Sequence, residues 1–357
     1  MRVLFLPNWK IEYCDEVPGD KQPPDYYVEG EDYWFFRYFK NPPQVDVIDI
    51  HSFPWLEHFE KNVIRFYIWQ ALRAIPRLSK YDLVVSHGMQ SGVVISLWRR
   101  IFKSSSKHIV FDIGAFNSAA ESGVALKLMQ YASKSIDGII YHTSKQKDYY
   151  REFFPWVLPK SKFIKFGTDS VFFQRKETVD FNSLEGKQYC VCVGYNKRDW
   201  DVAVKAFRLA SQEGLILLMI GHVDDQYDQI PNIRQIPFIP VKDLISYIEA
   251  AKFSILPLKS FNYSYGQMTL LQQMALGKCV IASRVPSLVD YATEGETVVF
   301  YEPENPDDLA EKIRMVNSDS DYRDKIGKNA SSYVMNICNE KTMAEEIEAY
   351  LNHIIES

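Results

Sequence analysis

Short apolar runs of strand length alternate with stretches of helical periodicity along most of the chain, and this alternation constrains the fold more than any other feature of the sequence. Such alternation is the signature of βαβ units, which assemble into parallel sheets covered by helices. In the first half it predicts strands at 2–6, 45–49, 82–86, 108–112, 138–142 and 163–166, with helices near 57–78, 91–102, 122–134 and 145–153. The opening Met1–Pro7 turns polar by Asn8, too soon for a signal peptide or a membrane span, and reads as the first strand. The segment 167–187 breaks the rhythm with polar and turn residues. A second series follows, with strands at 189–194, 215–220, 233–236, 253–257, 279–283 and 297–300 and helices near 199–210, 241–251, 266–276, 286–291, 306–316 and 341–355. At 357 residues the chain has the length of two domains, each able to bury its own core. The predicted organisation is an α/β pair of Rossmann-like domains: 1–166, a linker at 167–187, 188–335, and a closing helix at 336–357. Residues 10–42 form a long excursion after strand one, at the end of a strand where such loops commonly carry function.

Charge excludes one class of partner. Residues 1–166 hold 22 Lys and Arg against 18 Asp and Glu, so the overall −5 divides into +4 and −9. That asymmetry is too slight for a nucleic-acid-binding stripe. The five cysteines, at 14, 190, 192, 279 and 338, show no zinc-ligand or C-x-x-C spacing and read as buried thiols of a reducing cytoplasm.

The strongest chemical signal runs from Asn262 to Ser283. A loop containing Gly266 leads into a helix from Gln267 to Leu276, which Gly277 stops before a buried strand. At the start of that helix the free N–H groups of Gln267, Met268 and Thr269, with the helix dipole, make a seat for phosphate, and Thr269 adds a hydroxyl. Any βα connection carries such a turn, so the residues alone also fit a plain loop. Lys197 and Arg198 follow the strand-end Gly194, at the end of the sheet where open α/β folds bind ligands. A guanidinium there can fork onto phosphate oxygens, or the two charges can be solvated. In the first domain, Asp112 ends a strand and could serve as a base for an acceptor alcohol or close an Asx turn. His87, before Gly88, reads either as a cleft residue or as a histidine flanking a helix.

The stretch 262–283 resembles the donor-binding signature of retaining GT-B glycosyltransferases of family 4. It keeps Leu270, Leu271, Met274, Ala275, Gly277, Lys278, Val280, Ile281, Ala282 and Ser283 of that pattern, and departs at both of its acids: Ser264 and Gln272 stand where the family has Glu, and Cys279 replaces the usual Pro. Weaker matches follow in the family's order at Lys80–Gly88, Lys165–Phe173, Val193–Trp200, Pro286–Tyr291, Gly295–Val298 and Glu302–Ala310. The resemblance implies two Rossmann-like domains facing across a cleft, with the C-terminal helix packing back on the first. It implies transfer of a sugar, with retention, from a nucleoside diphosphate sugar to the hydroxyl of a glycan, lipid or small-molecule acceptor. In the family the second acid holds the donor ribose, a role that falls to Gln272 with an amide's weaker bonds. The first acid contacts the donor sugar, and with Ser264 in its place that contact must be shared with Asn262, Tyr263 or Tyr265. Phe238 stands where the family holds the nucleobase edge, and a core phenylalanine fits the same pattern. No Asp-x-Asp motif is present, and Asp224-Asp225 sits in a polar loop. Since a helix N-terminus with Arg and Lys can neutralise a leaving diphosphate, no metal and no further cofactor are expected. Loss of both acids also fits a non-catalytic GT-B subunit that binds nucleotide or glycan.

Basic and aromatic residues interleave at Arg65–Arg73, Leu97–Lys103 and Tyr150–Lys165. This mixture suits the headgroup layer of a membrane, and equally suits ordinary amphipathic helices. The expected location is the cytoplasm, with peripheral docking at the inner face of the membrane.

Overall fold

The computed structural model describes residues 1–356 apart from 103, 115–120, 175–183, 185, 195–196, 212 and 262–263. Strands β1 (Arg2–Leu6), β2 (Glu12–Cys14), β3 (Tyr26–Val28), β4 (Gln44–Val47), β5 (Leu83–His87), β6 (Lys107–Asp112), β7 (Gly138–Tyr141) and β8 (Ser161–Phe163) belong to the first half. Strands β9 (Gln188–Val193), β10 (Leu215–Ile220), β11 (Ile233–Ile236), β12 (Ser254–Leu256), β13 (Val280–Ser283) and β14 (Val299–Tyr301) belong to the second. They form two six-stranded sheets, ordered β4-β1-β5-β6-β7-β8 and β11-β10-β9-β12-β13-β14, and a small β2-β3 pair. Every pairing in the two large sheets is parallel, with Phe5 opposite Val47 and Val85, and Cys192 opposite Met219 and Ile255. The inner strands are largely apolar and buried, as sheets covered on both faces require, while the edge strands β4, β8 and β11 are more polar and partly exposed.

The helices follow the predicted rhythm with two differences. The single helix expected over 57–78 is broken into Pro54–Phe59, a π-turn at Glu60–Ile64, Ile68–Ala74 and a 3-10 turn at Ile75–Lys80. The break lies at Arg65, whose φ of 59° is left-handed, and at Tyr67, which is not helical. An unforeseen helix spans Ser320–Asn336, capped by the Asp319 carboxylate, which accepts from the Tyr322 N–H at 2.9 Å. Its low hydropathy hides it, because only Ile326, Gly327, Ala330 and Val334 are buried.

The chain crosses between the domains twice, side by side. Thr168 bridges Asn339, with the Thr168 N–H donating to Cys338 O and the Glu340 N–H to Thr168 O. Beyond the second crossing the helix Glu340–Glu356 packs Met343, Ala344, Ile347, Leu351 and Ile354 against Val3, Phe5 and Phe111 of the first domain. Glu340, at the start of this helix, accepts from Trp34 Nε1 at 2.7 Å and pairs with Arg37 at 2.7 Å, and Arg37 also pairs with Asp169 at 2.8 Å. A further junction is Tyr291, fully buried, whose hydroxyl donates to His142 O at 2.6 Å and accepts from the Phe166 N–H at 2.9 Å. Cys190, Cys192, Cys279 and Cys338 are buried free thiols and Cys14 is partly buried.

Candidate functional site

Both sheets have a switch point, between β1 and β5 in the first and between β9 and β12 in the second, where consecutive connections depart to opposite faces. Such a point leaves a crevice at the carboxyl ends of the strands. Trp9 follows β1 and His87 ends β5, while Arg198 follows β9 and Ser264–Gln267 follow β12. Trp9, Trp34, His87 and His142 of the first domain and Ser264, Gly266, Gln267 and Met268 of the second line one cavity of about 370 Å³. Of the sequence-predicted residues, His87 of the first domain and Ser264, Tyr265, Gly266, Gln267 and Met268 of the second therefore meet around a shared space.

On the second-domain side, the helix Gln267–Ala275 starts at Gly266, whose φ of 80° is left-handed. A Cβ on Gly266 would come within 2.5 Å of Leu258 Cδ1, a buried side chain. The glycine is thus required by its own backbone and by Leu258. The first N–H groups of this helix have no partner within it and carry its positive end. The partly buried Arg198 lies beside them. Its Nε donates to Val193 O at 2.8 Å and its Nη2 to Thr269 Oγ1 at 2.9 Å. Gly194, at φ 116°, clears the path for this side chain, since a Cβ there would lie 2.4 Å from Arg198 Nη2. Burial lowers the Arg198 pKa, yet a guanidinium stays a cation. Thr269 therefore orients Arg198 as well as standing at the helix start. Lys197 is exposed, with its ammonium 4.3 Å from the centre of the Phe261 ring.

The other donor-side candidates are distributed unevenly. Gln267 is buried, and its Nε2 donates to Thr143 Oγ1 of the first domain at 3.0 Å and to Ser264 Oγ at 2.6 Å. Ser264 is thereby turned toward Gln267. Tyr265 lines the cavity while its hydroxyl donates to Lys259 O, and Met268 is exposed at the cavity edge. Gln272 does not face that cavity. Its Nε2 donates to Gln22 Oε1 at 3.0 Å, joining it to the excursion 10–42. Phe238 is no core residue, being 78% exposed, and it lines a neighbouring cavity of about 770 Å³ with Lys10, Lys21 and His51. Asn262 and Tyr263 lie outside the described residues.

On the first-domain side, His87 is buried among Trp9, Trp34, Phe5 and Phe111, with the Trp9 ring 4.7 Å away and edge-on. Its Nδ1 meets Asn8 Oδ1 at 3.3 Å, while Nε2 has no hydrogen-bond partner among the described residues. Burial pushes its pKa down to about 3, with a smaller contribution from His142, so the ring is neutral near pH 7. With Asn8 accepting from Nδ1, Nε2 presents a lone pair. His142, which sequence reasoning did not single out, repeats the arrangement. Its Nδ1 donates to Ile164 O at 2.8 Å, which leaves Nε2 as the acceptor, and burial lowers its pKa to about 4. The only signal that marks it is its place after β7 at the end of a central strand. Asp112, by contrast, is fully buried. Its carboxylate accepts from the Gly114 N–H at 3.0 Å and from the Tyr150 hydroxyl, and Gln146 holds its carbonyl at 3.0 Å. This is the Asx-turn alternative, and Asp112 does not line the cavity. The acid-base role considered for it is not retained.

Two facing Rossmann-like domains with parallel sheets, a cleft at their carboxyl ends and a C-terminal helix returning to the first domain make up the GT-B architecture. Residues 175–333 match the model of the family described as Glycosyl transferases group 1. The chain is 27% identical over 304 residues to an uncharacterized glycosyltransferase of Methanocaldococcus jannaschii, covering 80% of this chain and 79% of that protein. Among solved structures it is similar to sucrose-phosphate synthase from Thermosynechococcus elongatus, with a TM-score of 0.74 and 17% identity over the whole of both chains. It is also similar to Anabaena HepE in complex with UDP-glucose, with a TM-score of 0.70 and 14% identity over 99% of this chain and 100% of that one. The family model and the relative support a glycosyltransferase, and the solved structures support its GT-B fold.

Proposed function

We propose that the protein transfers a sugar, with retention of anomeric configuration and without a metal ion, from a nucleoside diphosphate sugar to an acceptor hydroxyl. The observation that carries this reading is the facing pair of switch points, with a helix N-terminus on one wall of the 370 Å³ cavity, Arg198 held by Thr269 in the first turn of that helix, and two neutral imidazoles on the opposite wall. As the bond from the anomeric carbon to the diphosphate breaks, negative charge grows on the leaving oxygen. Pre-placed N–H groups and a guanidinium stabilise that charge without a cation. Lys197, exposed and beyond Arg198, adds a further positive charge near the diphosphate. The lone pairs of His87 and His142 accept hydrogen bonds from sugar hydroxyls. The base rests in the adjoining cavity by Phe238, and the ribose lies beside Gln272. Anomeric configuration of the product, read by proton NMR, tests retention; an inverted product contradicts it.

We infer further that the acceptor is presented at a lipid surface, in the cytoplasm. The support is a run of exposed apolar side chains, Phe53, Trp55 at 72% exposure, Phe59, Val63 and Leu72, next to Lys61, Arg65 and Arg77. Trp and Phe enter a headgroup layer that Lys and Arg attract electrostatically. Of the three basic-aromatic segments, Tyr150–Lys165 does not contribute its aromatics, because Tyr150 and Phe154 are core. Among the described residues no helix is long and apolar enough to cross a membrane. Co-sedimentation with phosphatidylglycerol vesicles at low salt, lost in Trp55→Glu, is the expected outcome; no sedimentation of the unaltered protein contradicts it.

A further inference from the structure

The donor helix of this chain lacks the two carboxylates that its resemblance implies, with Ser264 and Gln272 in their positions. A carboxylate reaches the same cavity from the other domain. Asp25 closes a turn in the excursion between β2 and β3, and it lines both the 370 Å³ cavity, opposite Ser264 and Gly266, and the 770 Å³ cavity that holds Phe238. The turn is held from several sides. The Asp25 N–H donates to Gln22 O at 2.9 Å, and the Glu12 N–H donates to Asp25 O at 3.1 Å. The Pro24 carbonyl accepts from the buried Tyr33 hydroxyl at 2.9 Å and from Trp9 Nε1 at 3.3 Å. A loop so fastened positions its side chains in advance of any ligand.

Gln22 links this turn to the donor helix. Its Oε1 accepts from Gln272 Nε2 at 3.0 Å, and its backbone carbonyl accepts from the Asp25 N–H at 2.9 Å. Gln22 therefore ties the position where an acid is missing to the turn that carries an acid in the opposite domain, by its side chain on one side and its backbone on the other. Burial raises the Asp25 carboxyl, against the lowering effects of Gln22 and Lys21. Ser264 does not replace a carboxylate, because its hydroxyl is short and neutral and one of its lone pairs accepts from Gln267 at 2.6 Å.

Resting on the glycosyltransferase reading, we propose that Asp25 supplies, from the first domain, the carboxylate that the donor helix lacks, accepting hydrogen bonds from the hydroxyls of the transferred sugar, with Gln22 as its positioning residue. A carboxylate accepts from sugar hydroxyls more strongly than a neutral oxygen does. The sugar subsite is then complete only when the turn and the donor helix stand together, so recognition of the sugar and the relative position of the domains are coupled.

The test uses a panel of UDP-, GDP- and ADP-sugars. The sugar nucleotide that the unaltered protein hydrolyses fastest is compared with its own nucleoside diphosphate, by titration calorimetry, in the unaltered protein, Asp25→Asn and Asp25→Asn/Ser264→Glu. Asp25→Asn, nearly isosteric, is expected to keep its melting temperature and its nucleoside diphosphate affinity within about twofold, while affinity for the sugar nucleotide falls about tenfold, the scale of one charge-assisted hydrogen bond. Ser264→Glu, which returns the acid to the donor helix, is expected to restore most of that loss. An equal loss for both ligands, no loss for either, or a loss that Ser264→Glu leaves in place overturns the proposal. Failure of the unaltered protein to hydrolyse any sugar nucleotide overturns the glycosyltransferase reading itself, before any variant is made.

Discussion

Arg198→Met replaces a cation by an apolar chain of similar reach, and its consequence can be worked out from the contacts at the donor helix. The guanidinium is held by Val193 O at 2.8 Å and Thr269 Oγ1 at 2.9 Å, beside the first N–H groups of the helix Gln267–Ala275. It is partly buried, so a bound diphosphate reaches it with little water between them. One hydrogen bond to a charged group contributes about 1.5–3 kcal/mol, which corresponds to roughly 10- to 150-fold in Kd. Stability should change less, within about 1–2 kcal/mol, because losing the two bonds is offset by no longer desolvating a cation. Calorimetric titration of UDP, GDP and ADP, with the matching nucleosides as controls, reads the effect directly. The variant should weaken the tightest diphosphate by the stated factor, leave the nucleoside unaffected and flatten the dependence on salt, since a charge on the protein has been removed. A folded Arg198→Met that binds the diphosphate as well as the unaltered protein would refute the placement of the phosphate seat.

Two further outcomes concern the junction between the domains. Tyr291→Phe leaves His142 O and the Phe166 N–H without their shared hydroxyl, each at about 1–3 kcal/mol, so urea unfolding should show a loss of roughly 2–6 kcal/mol; an unchanged midpoint contradicts this role. Burial raises the Glu340 carboxyl to about 7, with Asp169 adding to the rise and Arg37 and Trp34 opposing it. The folded state thus holds this proton more tightly than the unfolded one, and the contribution to stability is complete below about 4.5 and lost as pH rises toward 7. Stability of the unaltered protein should fall over that window relative to Glu340→Gln, with a slope of at most about 1.4 kcal/mol per pH unit; parallel curves for the two proteins contradict it.

The architecture was legible because βα alternation survives in a single sequence. Strands β1 and β10 match the predicted spans 2–6 and 215–220, since a strand buried on both faces is nearly continuously apolar, and the edge strand β11 matches 233–236. The helix Ser320–Asn336 escaped because it buries so narrow a face. The donor helix was legible from Gly266 and its neighbours, though the close approach of Leu258 to that glycine was not. Asp112 and His87 end adjacent strands and look alike in sequence, yet Tyr150 and Gly114 occupy the first while the second keeps an open nitrogen. Hydroxyl and backbone partners that lie tens of residues away decide between such residues, and no local pattern records them. The same holds for Gln22 and Asp25, which read as loop residues until the sheet brings them to Gln272, 250 positions further along the chain.

In the proposed reaction the cleft breaks the bond between a sugar and a nucleoside diphosphate. Incubating the protein with the UDP-, GDP- and ADP-sugar panel, in the presence of EDTA, and quantifying released nucleoside diphosphate by ion-exchange chromatography measures that step. The account predicts steady, protein-dependent release from one nucleotide class, undiminished by the chelator and sharply reduced in Arg198→Met. Tight nucleotide binding with no release from any member of the panel, with acceptors supplied, would contradict it and leave a GT-B protein that binds nucleotide without catalysis.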